Sequence, residues 1–175
     1  MNIIENKLLD GNKVFKESIF NDSNKLKIVK EQINGQSPFA LIVSCSDSRV
    51  SPEIIFNTFL GELFVIRTAG NVINEGELAS IEYGIKHLNI KYCLVLGHTH
   101  CGAIHAAMHK EKGEYLSCIL DNISNNIKDE KDERISTIKN CVQQVKYLKT
   151  KFPDYDGLIK AGIYDIETNL VTIIE

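Results

Sequence analysis

Thiol, imidazole, carboxylate and guanidinium side chains recur in this chain at spacings suited to holding an ion and activating what lies beside it. Cys45-Ser46-Asp47-Ser48-Arg49 puts a thiol, a carboxylate and a guanidinium on alternate positions, and His98-Thr99-His100-Cys101-Gly102 contains a His-x-x-Cys pair. On a helical turn, an i, i+3 spacing places His98 and Cys101 on one face, where Cys45 could reach the same ion from a neighbouring strand. Two thiolates and one imidazole suit zinc, and three protein ligands leave the fourth tetrahedral position open, as in catalytic zinc sites. Asp47 is the obvious fourth ligand, but Arg49 can engage its carboxylate through two parallel hydrogen bonds and turn it from the metal. Zinc with two thiolates and a neutral histidine carries no net charge and acidifies water less than a shell of three histidines. An ionised Asp47, able only to accept hydrogen bonds, would then orient a zinc hydroxide toward an electrophile.

Short, unbroken apolar runs must position these groups. Phe39 to Val43, Leu63 to Ile66 and Tyr92 to Leu96 read as strands covered on both faces. Each run ends in a polar or glycine-containing segment: Cys45 to Arg49, Arg67 to Asn71, and His98 to Gly102. Helical spacing of apolar residues appears from Gly76 to Leu88, Ala103 to His109 and through 114–150, with a charged break near Lys128 to Arg134. The first 30 residues read as one or two amphipathic helices. Gly157 to Asp165 and Leu170 to Ile174 read as a terminal hairpin. The alternation predicts an α/β fold: a mostly parallel central β-sheet flanked by helices, with a C-terminal antiparallel edge strand. In open parallel sheets, sites form at the carboxyl ends of the strands, which is where the three polar segments fall.

Composition excludes several alternatives. The 175 residues are 43% hydrophobic and 25% charged, which suits one ordinary globular domain over 1–175 and not a disordered or collagen-like chain. With 20 Lys+Arg against 23 Asp+Glu the net charge is −3, so no basic footprint for nucleic acid is present. No apolar run approaches the roughly 20 residues of a bilayer span, and the first residues lack a signal-peptide pattern. The expectation is a cytoplasmic protein with no membrane partner, where five cysteines, an odd number, are more often core, catalytic or metal-binding than bridged.

Taken jointly, Cys45-x-Asp47-x-Arg49 and His98-x-x-Cys101-Gly102 resemble the β-class carbonic anhydrases. The likeness continues through Ala69-Gly70-Asn71, Ile81-Glu82-Tyr83 and Tyr164-Asp165-Ile166, from about Gln36 to the C-terminus. This resemblance implies a zinc lyase that reversibly hydrates carbon dioxide to bicarbonate and a proton. It implies one Zn2+ per subunit on Cys45, His98 and Cys101, beside an Asp47–Arg49 dyad. It also implies that Gln36 hydrogen-bonds bicarbonate, that Phe64 and Tyr83 wall an apolar pocket, and that Gly102 adjoins the substrate. In such proteins Gln36, Phe64 and Tyr83 would come from an adjacent subunit, making the assembly a homodimer or homotetramer with residues 1–30 packed on a partner subunit. One branch of the family carries tryptophan three residues before the first zinc cysteine. Ile42 stands there and the chain has no Trp, so the resemblance is to the plant-like branch with an open, water-bound zinc. Thr68 departs from the family, where asparagine is common. A hydrolase of carbonyl sulfide or carbon disulfide on the same fold, or a non-catalytic zinc-binding module, are the alternatives. No phosphate-cradling glycine motif supports a nucleotide site.

Other reactive residues read as structural. Cys93, Cys118 and Cys141 are expected in the core, His100 on a surface loop, and His105 and His109 on one helical face as packing or solvated groups.

Overall fold

The computed structural model describes residues 2–174 and divides into two compact units, a helical one ending at Gln36 and a sheet-based one beginning at Ser37. The helical unit comprises α1 (Ile3–Phe20) and α2 (Ser23–Glu31). The α1 start is a capping box: the Asn2 side chain accepts from the Ile4 N–H and Glu5 accepts from the Asn2 N–H. Asp22 caps α2 by accepting from the N–H groups of Asn24 and Lys25. Ile3, Leu8, Val14 and Phe20 of α1 are all exposed. A 3-10 turn, Gln32–Asn34, follows, and Gln36 beyond it is exposed.

The second unit is built on five strands: β1 (Ala40–Cys45), β2 (Leu63–Thr68), β3 (Tyr92–His98), β4 (Leu158–Asp165) and β5 (Leu170–Ile174). Their order is β2-β1-β3-β4-β5. The first three pairings are parallel and only β4–β5 is antiparallel, as the sequence pattern predicts. Between them run α3 (Pro52–Ile55), α4 (Glu75–Lys86), α5 (Gly102–Met108), α6 (Ser117–Ile127) and α7 (Glu133–Lys151).

The unbroken apolar runs of β1 and β3 follow from burial on both faces. Leu41, Val43, Cys93 and Val95 pack with Ile81 of α4 and Cys141, Val145 and Leu148 of α7, whereas Ala40, Ile42, Leu94 and Leu96 join Val50 and Tyr164 in a second cluster. Burying an aliphatic side chain contributes about 1.5–3 kcal/mol, against roughly 0.2–1 kcal/mol for an exposed ion pair such as Lys86–Glu82. Packing therefore sets where α4 and α7 sit.

Growth of the sheet reverses at β1: β2 pairs on one side and β3 on the other. Such a switch point opens a crevice at the carboxyl ends of the strands. There the register sets Cys45 beside Thr68, with His98 ending the neighbouring β3.

All five cysteines are free thiols. Cys93 and Cys141 are buried as expected, but Cys118 is exposed, correcting the core reading. The buried stripe of α6 is Leu120, Ile123 and Ile127, and a position two residues from Leu120 lies roughly 200° round the helix. The Cys118 thiol instead donates to the Tyr115 carbonyl oxygen at 3.0 Å. No helix among the described residues is long and apolar enough to cross a membrane.

Candidate metal centre

Cys45 ends β1 and His98 ends β3, and both are buried, at 5% and 0% exposure. Cys101 is the N-cap of α5 and 1% exposed. The link between His98 and Cys101 is not the helical turn expected from their spacing. It is a tight reversal through His100 in the left-handed region, φ 57°, a conformation that needs no glycine but is uncommon for other residues. The outcome is the same: the ligand atoms of Cys45, His98 and Cys101 all lie within 4.8 Å of one another.

The donor set fits zinc. Zn–S bonds of about 2.3 Å at a tetrahedral angle place two sulfurs roughly 3.8 Å apart; the Cys45 and Cys101 sulfurs are 4.0 Å apart. The His98 ring is fixed by its Nδ1, 2.9 Å from the Thr99 carbonyl oxygen. A carbonyl only accepts, so Nδ1 carries the proton and Nε2 presents a lone pair. That Nε2 is buried without a hydrogen-bond partner, a costly arrangement for a polar atom that a cation in the cluster would relieve.

The two thiols face each other as a hydrogen-bonding pair. Cys45 is held far below the ordinary thiol range, chiefly by its hydrogen bond with Cys101; burial opposes this, while the backbone N–H groups of Asp47 and Gly70 add to it. Cys101 is pushed up by that same bond, then by burial and by the Cys45 charge. The N–H groups of Asp47 and Gly70 lie 3.4 and 3.3 Å from the Cys45 sulfur.

Asp47 stands immediately beyond the cluster. Its Oδ1 accepts from Arg49 Nε at 3.0 Å and from the Arg49 backbone N–H at 2.9 Å, and its Oδ2 accepts from Arg49 Nη2 at 2.8 Å. The guanidinium also donates to the His100 carbonyl at 3.1 Å, joining the β1 loop to the reversal before Cys101. The Arg49 hydrogen bond is the main cause that holds the Asp47 carboxyl well below the usual carboxylate range.

Other expected site residues lie elsewhere. Phe64 and Tyr83 do face each other, ring centroids 6.2 Å apart. Phe64, however, pairs with Leu41 in the β1–β2 register, four residues from the Cys45–Thr68 pair. At about 3.3 Å per residue that is roughly 13 Å along the strand. Gly102 begins α5 and is exposed, with open space where a β-carbon would stand. His100 is an exposed turn residue, as expected, its Nε2 2.9 Å from Glu167 Oε1, and the His105 and His109 rings lie tilted against each other, centroids 4.1 Å apart.

Sequence reasoning missed Arg67, whose Nε and Nη2 donate to the carbonyls of Cys45 and Asp47 at 3.1 and 2.7 Å and pin the loop between them. It also missed Asn140 and Gln144, buried amides on α7 that hold the loop after β2. Their i, i+4 spacing puts both on the buried face of α7, which their residue types alone do not reveal.

With this geometry in view, the comparisons are specific. The carbonic anhydrase family model matches residues 40–167, and the chain belongs to the carbonic anhydrase family, in its β class. A carbonic anhydrase of Synechococcus elongatus is 36% identical over 195 aligned residues, covering 94% of this chain and 70% of that protein. Carbonic anhydrase 2 of Mycobacterium tuberculosis is 54% identical over 74 residues, 42% of this chain and 36% of that one. Among solved structures, the β-carbonic anhydrase CcaA superposes with a TM-score of 0.83 at 29% identity, covering 98% of this chain and 95% of that one. The fold is also that of two tetrameric β-carbonic anhydrases of Sordaria macrospora, at a TM-score of 0.84 and 21% identity over 99% of this chain and 98% of that one.

Proposed function

We propose that this protein catalyses the reversible hydration of carbon dioxide to bicarbonate and a proton, with one zinc ion per subunit on Cys45 Sγ, His98 Nε2 and Cys101 Sγ. The observation that carries this reading is the ligand atoms of Cys45, His98 and Cys101 within 4.8 Å of one another, with His98 Nε2 buried and partnerless, beside a carboxylate already committed to an arginine. Bound there, zinc supplies a Lewis acid, which in catalytic sites brings the pKa of water down to about 7.

The protein's own groups do the rest. A carboxylate oxygen accepts about two hydrogen bonds. Arg49 takes both places on Asp47 Oδ1 and one on Oδ2, so a single lone pair on Oδ2 remains. Asp47 accepts the hydrogen of the attacking oxygen there, which turns that oxygen's lone pair toward the substrate carbon. With only 18% of its side chain exposed, Asp47 meets little competing water. Arg49 keeps the carboxylate ionised and off the metal.

Carbon dioxide is small and apolar, and an aromatic wall suits it. The separation of Phe64, with Tyr83 beside it, from Cys45 along the sheet supports their serving the site of a second copy, with Gln36 binding bicarbonate and Gly102 leaving room beside the metal. The exposed apolar residues of α1 support a homodimer or homotetramer in which residues 1–30 pack on a partner subunit.

A stopped-flow assay with a pH indicator on zinc-loaded protein tests the proposal. Accelerated hydration of carbon dioxide is expected; activity on carbonyl sulfide or carbon disulfide alone would replace it with the hydrolase reading.

A further inference from the structure

The loop after β2 contributes a backbone group to the metal centre, and its own closing bond, Thr68 Oγ1 donating to the Val72 carbonyl at 2.6 Å, is reinforced from another element. Gly70 and Asn71 both adopt left-handed conformations, φ 64° and 49°, and consecutive residues of that kind persist only where the surroundings impose them. No side chain could replace Gly70: a β-carbon there would stand 2.7 Å from Ile123 Cδ1 and 3.1 Å from Ala103 Cβ. The Gly70 N–H points at the Cys45 sulfur, 3.3 Å away.

Two side chains of α7, one helical turn apart, impose this shape. Asn140 Nδ2 donates to the Gly70 carbonyl oxygen at 2.9 Å, and Gln144 Oε1 accepts from the Ile73 N–H at 3.3 Å, so the loop is held at both ends. Both amides are buried, at 0% and 1% exposure. Their other ends are satisfied from α6: Asn126 Nδ2 donates to Asn140 Oδ1 at 2.9 Å, and Gln144 Nε2 donates to Asn122 Oδ1 at 2.8 Å. Burying primary amides this deeply is unfavourable unless they are paired at both ends. Here the pairing fixes the two ends of one short loop, whose first peptide N–H faces the sulfur of a proposed metal ligand.

We infer that Asn140 is a positioning residue for the metal centre: by holding the Gly70 carbonyl it aims the Gly70 N–H at Cys45 and sets how strongly that sulfur binds and donates to the ion. A thiolate that accepts an N–H bond gives less electron density to its metal and is better fixed in direction, and partners of this kind typically change metal affinity 10–100-fold. The inference rests on the ligand assignment proposed above.

Two measurements on the full chain test it. The first is zinc affinity by competition with a chromophoric chelator, and the second is the sulfur-to-cobalt charge-transfer band of protein loaded with Co2+. In Asn140→Leu, zinc binding is expected to weaken about 10-fold to 100-fold. The band is expected to move to lower energy, because a sulfur relieved of its N–H bond is more easily oxidised. Asn126→Leu changes a half-buried residue and removes the bond orienting the Asn140 amide; it gives a smaller shift in the same direction and keeps the test decisive where Asn140→Leu does not fold. Val145→Ala, a core change on the same helix, lowers stability but leaves the band in place. Wild-type affinity and an unmoved band in whichever Asn variants fold overturn the inference, as does an equal band shift in Val145→Ala. Wild-type protein that binds neither ion overturns the ligand assignment itself, and the inference with it.

Discussion

Gly97 and Cys141 occupy one another's space: a β-carbon at position 97 would fall on the Cys141 sulfur, and it would stand 3.1 Å from Thr137 Cγ2 and 3.2 Å from Ile163 Cδ1. The residue before the His98 ligand is therefore glycine because α7 packs directly on the β3 backbone. Gly97→Ala is expected to cost about 1–3 kcal/mol, as overpacking of a close-packed core does. Adding Cys141→Ala restores part of the loss, a coupling of at least about 0.5 kcal/mol for side chains in contact. Urea unfolding of the two single variants and the double variant measures it, and strictly additive costs would refute the clash.

The Arg49 fork makes an orienting role for Asp47 separable from a stabilising one. Half of the Arg49 side chain is exposed, so the pair contributes only about 0.2–1 kcal/mol to stability. Asp47→Asn presents an amide in place of the free Oδ2 lone pair. Zinc content is expected to stay at one per subunit while turnover falls about 10²-fold or more, the scale of a lost proton-accepting group. Arg49→Lys, which cannot form the planar fork, follows the same pattern more weakly. Normal turnover in Asp47→Asn would remove the dyad from the mechanism.

Removing a ligand acts differently. Cys45→Ala and His98→Ala each leave two donors, and both are expected to lose zinc and activity together after dialysis against a chelator. Metal analysis alongside the hydration assay reads this out; a variant active without zinc would contradict the assignment.

Glu130 anchors the turn between α6 and α7. Its carboxylate accepts from Lys139 Nζ at 2.6 Å and from the N–H groups of Lys131 and Asp132 at 2.9 and 3.2 Å. Lys139 first, then these N–H groups, lower it from an ordinary 4.5 to about 2. A folded value below the unfolded one gives stability that is complete above the unfolded value and disappears as pH falls through the folded one. Metal-free wild type should therefore lose stability between about pH 4.5 and pH 2 more steeply than Glu130→Gln. Urea midpoints across that range test it, and parallel acid limbs would count against it.

Much of this was legible in the sequence because distinctive side chains sit at the ends of unbroken apolar runs. Cys45, Asp47, Arg49, His98 and Cys101 declare themselves by type and spacing, and both-face burial marks β1 and β3. What escaped notice works through backbone groups or through context. The Gly70 N–H has no signature of its own, and nothing in His98-Thr99-His100-Cys101 distinguishes a left-handed reversal from a helical turn. Cys118 reads as core by residue type and lies outside because the α6 stripe runs elsewhere. Asn140 and Gln144 look like ordinary helix residues until α7 is set against the loop they hold.

The Cys45 and Cys101 thiols meet from positions 56 residues apart, on an edge that exists only once β1 and β3 have paired. A cross-link closing a loop of that size removes about 4 kcal/mol of chain entropy from the unfolded ensemble. An ion on these sulfurs is thus a late fastening: it adds its stability only once the sheet has brought the two thiols together. Zinc-loaded protein should accordingly unfold at a higher urea concentration than metal-free protein, with the whole sheet shifting together.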